Sequence, residues 1–154
     1  MIAMLSVPSN EERIRFTESG IDEIRYNHTD SSVPPQYHRS YTISITPESI
    51  AIIVDSYGDI IAEKKFGCTP GQFNHLLSLL DEGKVKNVNL KKEDGCTGGT
   101  GEELTCRSAG TTIFNGKAYY CGGKTSGTLG GSIDNFKTAV KLLIPDFEKV
   151  LDRK

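Results

Sequence analysis

The fold is decided by residues 37–80, YHRSYTISITPESIAIIVDSYGDIIAEKKFGCTPGQFNHLLSLL. In RSYTISIT (39–46) apolar and polar residues alternate, which is the period of a strand with one buried face. The apolar segment SIAIIVD (49–55) and the segment IIAEKKF (60–66) follow after short turns. The sequence therefore predicts three consecutive antiparallel strands, of which the second is the most central.

A helix is predicted directly after these strands, because the period changes there. Thr69 is suited to cap it, and Pro70 fits the first helical position. The apolar side chains that follow recur at helical spacing and form one stripe: Phe73, Leu76, Leu77 and Leu80. Gly83 is placed to end the helix in the left-handed conformation.

This order, a three-strand meander followed by a helix that begins at Thr-Pro, resembles small uncharacterised bacterial domains with a "TPEQF"-like helix start. The likeness is one of layout and extends over residues 21–144, where a second strand-and-helix half follows the first. These domains have no established reaction, so the resemblance implies a fold and carries no function. The cysteines and the GCTGGTG segment (95–101) depart from that layout.

The remaining segments extend the sheet and add a second helix. Further strands are predicted at 21–28, 85–90 and 103–107, and a hairpin at 111–121. That hairpin would turn at Asn115-Gly116, a pair typical of two-residue turns. The second helix is expected to be capped by Ser132 and to stop at Pro145, with an apolar stripe made of Ile133, Phe136, Val140 and Leu143.

Together these elements predict an α+β fold: an antiparallel sheet of about five to seven strands with two main helices packed on one face. Residues 1–20 are expected to form a polar N-terminal arm, and residues 21–154 a single domain. One core is predicted from the strand and helix periods, made of Tyr41, Ile43, Ile45, Ile52, Val54, Phe73, Leu77, Leu80, Phe136, Val140 and Leu143.

Composition excludes several classes of protein. The chain has 154 residues with 18 Lys and Arg and 20 Asp and Glu, a net charge of −2. Such a balance creates no field that would capture nucleic acid or an anionic membrane, and no apolar run approaches the ~18 residues of a membrane span. The N-terminus lacks the basic start and apolar core of a secretory leader, which favours the cytoplasm. An extracytoplasmic location stays open, since four cysteines are present and a leader can be removed.

Residues 95–131 hold most of the 16 glycines and predict two glycine-rich loops, 95–101 and 122–131. In the second loop Gly122, Gly123, Lys124 and Thr125 resemble the end of a phosphate-binding loop, but Ala118 stands where the first glycine is required. We therefore interpret these glycines mainly as sites of tight turns or close backbone approach, and keep anion binding by these four residues as an alternative.

The four cysteines are Cys68, Cys96, Cys106 and Cys121, and no Cys-x-x-Cys occurs among them. That spacing gives little support to a zinc site or a redox pair. Cys96 and Cys121 each open a glycine-rich loop, so they are candidates for a disulfide, a thiol pair or a nucleophile. Against their contact, a hairpin at Asn115-Gly116 would place them at opposite ends of the sheet.

The sequence assigns no catalytic residues, metal ligands or cofactor, because it contains no clustered acid, base, nucleophile or ligand set. We expect a small soluble domain that acts as a non-catalytic binding or interaction module. A protein partner is left open, and neither nucleic acid nor a membrane is expected. Two alternatives remain: a small cysteine-dependent enzyme using Cys96 or Cys121, and an anion or nucleotide binder at residues 122–131.

Overall fold

The computed structural model describes residues 14–90 and 97–151. Within them the chain forms eight strands, three α-helices and a 3₁₀ turn at Phe16–Glu18. The strands are β1 (Glu23–Thr29), β2 (Ser40–Ile45), β3 (Ser49–Ser56), β4 (Asp59–Gly67), β5 (Lys86–Leu90), β6 (Thr100–Ser108), β7 (Thr111–Cys121) and β8 (Lys124–Gly130). The helices are α1 (Pro70–Glu82), α2 (Asp134–Leu143) and α3 (Phe147–Leu151).

All eight strands join one antiparallel sheet in the order β4-β3-β2-β1-β6-β7-β8-β5. The strands β2 to β4 form the predicted three-strand meander, β1 pairs beside β2, and β6 to β8 form a second meander. The two halves join where β1 pairs with β6, from Glu23 opposite Arg107 to Thr29 opposite Gly101. The α+β class is thus confirmed, but the prediction of five to seven strands is too low for the described part of the chain.

The hairpin predicted at Asn115-Gly116 is wrong, because both residues lie inside β7, which continues to Cys121 without a turn. The side-chain amide of Asn115 donates to Glu103 at 2.7 Å and to Thr105 at 2.9 Å, both on β6. These bonds across the sheet, together with backbone pairing along the whole strand, outweigh the local turn preference of the dipeptide.

The chain turns instead at Gly122-Gly123, where φ is 60° and 79°. A two-residue hairpin turn of type I′ requires positive φ at both central positions. Most of the loop predicted at 122–131 is therefore strand β8. Gly127 lies within β8 with φ 121°, and a Cβ there would overlap the carbonyl of Lys117 on β7, so close approach of the two strands requires a glycine.

The helices and one face of the sheet share a single hydrophobic core. The predicted core residues that are buried in the structure are Tyr41, Ile43, Ile45, Ile52, Val54, Phe73, Leu77, Leu80, Phe136 and Val140. Leu143 is only partly buried and packs at the margin of this core. Strand residues of opposite phase, such as Ile53, face away from the helices and stay exposed.

The start of α1 agrees with the prediction and its end does not. The Thr69 hydroxyl accepts a hydrogen bond from the Gln72 amide, and the Gln72 side chain accepts one from the Thr69 amide. Gly83, however, has φ −75°, and the left-handed residue is Lys84, with φ 54°. Glycine is required at position 83 for a different reason: a Cβ there would overlap the carbonyl oxygen of Ser132.

The second helix begins later than predicted. Ile133 occupies the cap position without a side-chain cap bond, and the Ser132 hydroxyl accepts only from the Asp134 amide, at 3.3 Å. The helix ends at Leu143, before Pro145, as expected. Among the described residues, no helix has the length and apolar character needed to cross a membrane.

The segment just before β1 packs on the domain. Phe16 is fully buried, and its ring meets Phe114 edge to face with centroids 5.3 Å apart. Asp81 of α1 accepts hydrogen bonds from the Phe16 amide and the Thr17 hydroxyl, both at 2.7 Å. The predicted arm at 1–20 therefore includes a fixed part, and its residues 1–13 lie outside the described residues.

Candidate functional site

An acidic side chain lies on the core face of β6. Glu102 alternates with Leu104 and Cys106, which are fully buried on the same face. Only 6% of Glu102 remains exposed. Burying a carboxylate is costly unless hydrogen bonds or an opposite charge compensate it, so the partners of Glu102 define the site.

Three donors converge on this carboxylate. The Tyr26 hydroxyl on β1 donates to Oε1 at 2.5 Å, and Lys137 Nζ on α2 donates to the same oxygen at 2.7 Å. The Tyr120 hydroxyl, at the end of β7, donates to Oε2 at 2.6 Å. Both tyrosines are diagonal neighbours of Glu102 in the sheet, because Tyr26 pairs with Leu104 and Tyr120 pairs with Thr100.

This arrangement fixes the protonation state of the three acidic groups. Burial acts to raise the pKa of Glu102, but the hydrogen bonds from Lys137, Tyr120 and Tyr26 outweigh it and hold that pKa below its ordinary value. Burial, and then the hydrogen bond to the carboxylate, raises the pKa of both tyrosines. At neutral pH Glu102 is therefore ionised, and both phenols keep their protons.

A cavity of about 240 Å³ opens beside this network, between the sheet and α2. We call it the Glu102 pocket. Its aromatic lining consists of Tyr26, His28, Tyr41 and Tyr120. Its other lining residues are Thr100, Glu102, Lys137 and Lys141. Charged and aromatic groups thus face the same small space.

The aromatic side of the pocket is held by ring contacts. His28 stacks on Tyr41 with centroids 5.0 Å apart and an angle of 26°. Tyr26 contacts Tyr41 at 6.2 Å, and Phe147 supports Tyr41 from α3 at 5.4 Å. Tyr120 is 38% exposed at the rim. Because three of these rings brace one another, the pocket is preformed rather than assembled by a ligand.

The thiols of the described residues are poorly suited to nucleophilic chemistry. Burial raises the pKa of Cys106 to about 12, and burial likewise raises the pKa of Cys68. Cys121 is disulfide-bonded. Since the thiolate is the reactive form of cysteine, none of these three sulfurs is activated.

The structure removes the geometric objection to a Cys96–Cys121 pair. Because β7 is continuous, its end pairs with the start of β6, Tyr120 lying opposite Thr100. Cys121 Sγ lies 3.5 Å from the carbonyl oxygen of Thr97, the residue that follows Cys96 in the chain. Cys96 itself lies outside the described residues, so the pairing stays a prediction.

The four candidate anion-binding residues lie on the β7–β8 hairpin. Gly122 and Gly123 form its turn, and Lys124 and Thr125 begin β8 with exposed side chains. Anion binding there stays a prediction, although the long loop on which it depended is a two-residue turn. None of the four lines the Glu102 pocket.

The opposite face of the sheet carries two further cavities, of about 240 and 270 Å³, which share Asn27 and Glu103 in their linings. Some polar groups there pair with one another: the Asn27 amide donates to Thr42 at 2.8 Å, and the Asn115 amide donates to Glu103 at 2.7 Å. Nε of Arg25, which lines the second cavity, is buried without a hydrogen-bond partner among the described residues. Glu102 also lines the first of these cavities, but of the three cavities only the Glu102 pocket is lined by its three hydrogen-bond donors, and this pocket is therefore the stronger candidate.

Neither metal-ligand geometry nor similarity to known proteins assigns a function. In the described ranges no group of three or more His, Cys, Asp or Glu residues is placed to hold a metal ion. No protein-family model, curated protein or solved structure matches the chain significantly. The functional argument therefore rests on the geometry of the Glu102 pocket.

The sequence analysis missed this pocket, although one signal for it was present. The strand predicted at 103–107 begins too late to include Glu102. If that strand is extended by one residue towards its N-terminus, Glu102 falls in phase with Leu104 and Cys106. A charged residue is rarely buried unless it is paired. A glutamate at a position that the strand period predicts to be buried therefore indicates a site.

Proposed function

We propose that this protein is a non-catalytic binding module and that it holds a small ligand in the Glu102 pocket. The observation that carries the proposal is a buried carboxylate, engaged by Tyr26, Tyr120 and Lys137, beside an open cavity. Concave, largely preformed sites with aromatic walls and a few convergent polar groups are typical of small-molecule binding.

The size of the cavity favours a small ligand. Its volume of about 240 Å³ is below the roughly 300–1,000 Å³ common for pockets that enclose drug-sized molecules. The pocket is also open at the rim, where Tyr120 is partly exposed. A molecule of one ring or a few functional groups therefore fits better than a nucleotide or a peptide segment.

The protonation states favour binding over catalysis. A general acid or base works best when its pKa lies near the operating pH. The pKa of Glu102 is held low, and those of Tyr26 and Tyr120 are raised. All three pKa values are therefore shifted further from neutral pH. Three donors also occupy the carboxylate, which makes it a fixed structural anion rather than a proton acceptor.

We predict that small fragments bind at this pocket and not elsewhere on the sheet. In a ¹⁵N NMR screen with a library of small ring-containing fragments, hits should shift the amides of Thr100, Glu102 and Tyr120 in a saturable way. A Thr100→Phe change fills the pocket at its lining and should weaken each hit at least tenfold.

Thr111→Phe is the matched control for this screen. Thr111 pairs with Ser108 at the opposite end of the β6–β7 ladder from Thr100, and its side chain is exposed. Hits should bind this variant as they bind the unmodified protein. Shifts that survive Thr100→Phe, or a library without any hit at these amides, would contradict the proposed function.

We further propose that Cys96 is the partner of Cys121, which removes the alternative of a cysteine-dependent enzyme. The sequence has four cysteines; Cys68 and Cys106 carry free thiols, and Cys121 is disulfide-bonded. Cys96 is the cysteine that remains. A bonded pair offers no thiolate for attack. Since disulfides persist in oxidising compartments, this pairing supports an extracytoplasmic location.

Counting thiols tests the pair directly. Alkylation in denaturant without reductant should add two labels by intact mass, at Cys68 and Cys106, and four labels after reduction. The Cys121→Ser variant should gain a label without reductant although it has lost a cysteine, because the thiol of Cys96 is released. Four labels on the unreduced, unmodified protein would show that the pair does not form.

A further inference from the structure

One cation of the Glu102 pocket has no carboxylate partner among the described residues. Lys137 and Lys141 both line the pocket from α2, four residues apart. Lys137 Nζ lies 2.7 Å from Glu102 and 3.9 Å from Asp134. Lys141 Nζ instead lies 5.3 Å from the centre of the Phe147 ring, and within the described residues it forms no ion pair with a carboxylate.

The two lysines and the carboxylates of Glu102 and Asp134 balance in net charge, but both carboxylates lie beside Lys137, so an anion is favoured at the Lys141 end of the pocket. The carboxylate of Glu102 is compensated by Lys137 and by two phenolic hydroxyls. The ammonium of Lys141, an exposed residue at the rim of the pocket, has no carboxylate within ion-pair distance among the described residues. A carboxylate on the ligand would supply the missing partner of Lys141.

The aromatic lining adds a second requirement. His28 and Tyr41 are stacked on one another, and Tyr120 is exposed at the rim. Rings of this kind bind flat, apolar groups through offset or edge contacts. The cavity of about 240 Å³ has room for a single ring with one small substituent.

We infer that the ligand of the Glu102 pocket is a small aromatic carboxylate, whose ring contacts the aromatic lining and whose carboxylate pairs with Lys141. This inference rests on the proposed function and specifies its ligand class. Lys141 supplies charge, and the tyrosines and His28 supply the surface for the ring. The hydrogen bonds to Glu102 hold Tyr26 and Tyr120 in place.

Three probes separate these contributions in NMR titrations: benzoate, its neutral analogue benzamide, and acetate, which lacks the ring. Benzoate should bind saturably, with shifts at Thr100 and Tyr120, and each of the other two should bind at least tenfold more weakly. Added salt should weaken benzoate and leave benzamide unchanged, because only the charged probe is screened.

The variant Lys141→Met keeps an unbranched side chain of nearly the same length and removes its charge. It should bind benzoate and benzamide with the same affinity, whereas Lys149→Met, an exposed lysine on α3, should retain the preference for benzoate. Equal affinity of the unmodified protein for benzoate and benzamide would overturn the inference, and so would no response to benzoate.

These outcomes are distinguishable from failure of the proposed function itself. If neutral fragments shift the amides of Thr100 and Tyr120 and lose affinity in Thr100→Phe, the pocket is a binding site whose ligand is not an aromatic acid. If benzoate binds but its shifts lie away from these amides, the inference is wrong, and the proposed function is also wrong only if no fragment of the library shifts these amides.

Discussion

Glu102→Ala is expected to destabilise the protein by about 3 kcal/mol, because removing the carboxylate leaves the polar groups that were bound to it without a partner. Without the carboxylate, the buried hydroxyl of Tyr26 and the ammonium of Lys137 lose a partner at 2.5 and 2.7 Å respectively. Urea unfolding followed by far-UV circular dichroism measures the change as a lower midpoint at an unchanged slope.

Glu103→Ala is the matched control, because the same residue type occurs one position along the same strand. Glu103 faces the uncovered side of the sheet, and its side chain is 38% exposed. Its partners there, Asn115 and Lys117, can turn to water, so the loss should stay within about 1 kcal/mol. Equal destabilisation by the two variants would mean that the burial of Glu102 has no special cost.

The pH dependence of stability separates charge from packing at this position. Because the pKa of Glu102 is lower in the folded protein than its ordinary value of 4.5, its stabilisation is fully present above that value. It is lost as the pH falls through the folded pKa. Glu102→Gln keeps the shape of the side chain and should lack this part of the acid destabilisation.

The first half of the fold could be predicted because its signals are local. In β2 the buried residues Tyr41, Ile43 and Ile45 alternate with polar ones, and this pattern needs no knowledge of the partner strand. The capping box at Thr69 is likewise contained in four residues. One face of these strands is buried and the turns between them are short. The hydrophobic period and the turn residues then predict the same pairing register between neighbouring strands.

The second half could not be predicted in the same way, because pairing between distant residues overrides local preference there. Asn115-Gly116 has the composition of a hairpin turn, yet the side-chain amide of Asn115 is used by Glu103 and Thr105. Gly116 lies where a Cβ would approach the Leu129 side chain on β8 to 2.9 Å. The glycine that signals a turn in the sequence thus serves close packing between elements.

The site is less predictable than the fold because its members are far apart in the chain. Tyr26, Glu102 and Lys137 meet only through the pairing of β1 with β6 and the packing of α2 on that pair. Each residue alone is compatible with a strand rim or a solvated helix face. What the sequence does contain is the phase of Glu102 within its strand, and this phase indicates a buried charge without naming its partners.

Phe136→Ala is expected to cost about 3–5 kcal/mol, the range for removing a fully buried phenylalanine ring. Phe136 is the buried anchor of α2, with no exposed surface, and its ring meets Tyr26 edge to face at 6.4 Å. The same helix carries Lys137 and Lys141 into the pocket. Loss of the ring should therefore lower the urea midpoint and also broaden the amide signals of Thr100.

The control on the same helix is Leu142→Ala, at a leucine that is 81% exposed and whose truncation should change stability by no more than about 0.5 kcal/mol. If Phe136→Ala lowers stability but the Thr100 signals stay sharp, α2 is anchored by its other contacts and the pocket does not depend on this ring. If the two variants lose similar stability, the helix does not pack on the sheet through Phe136, because an exposed leucine cannot contribute as much as a buried ring.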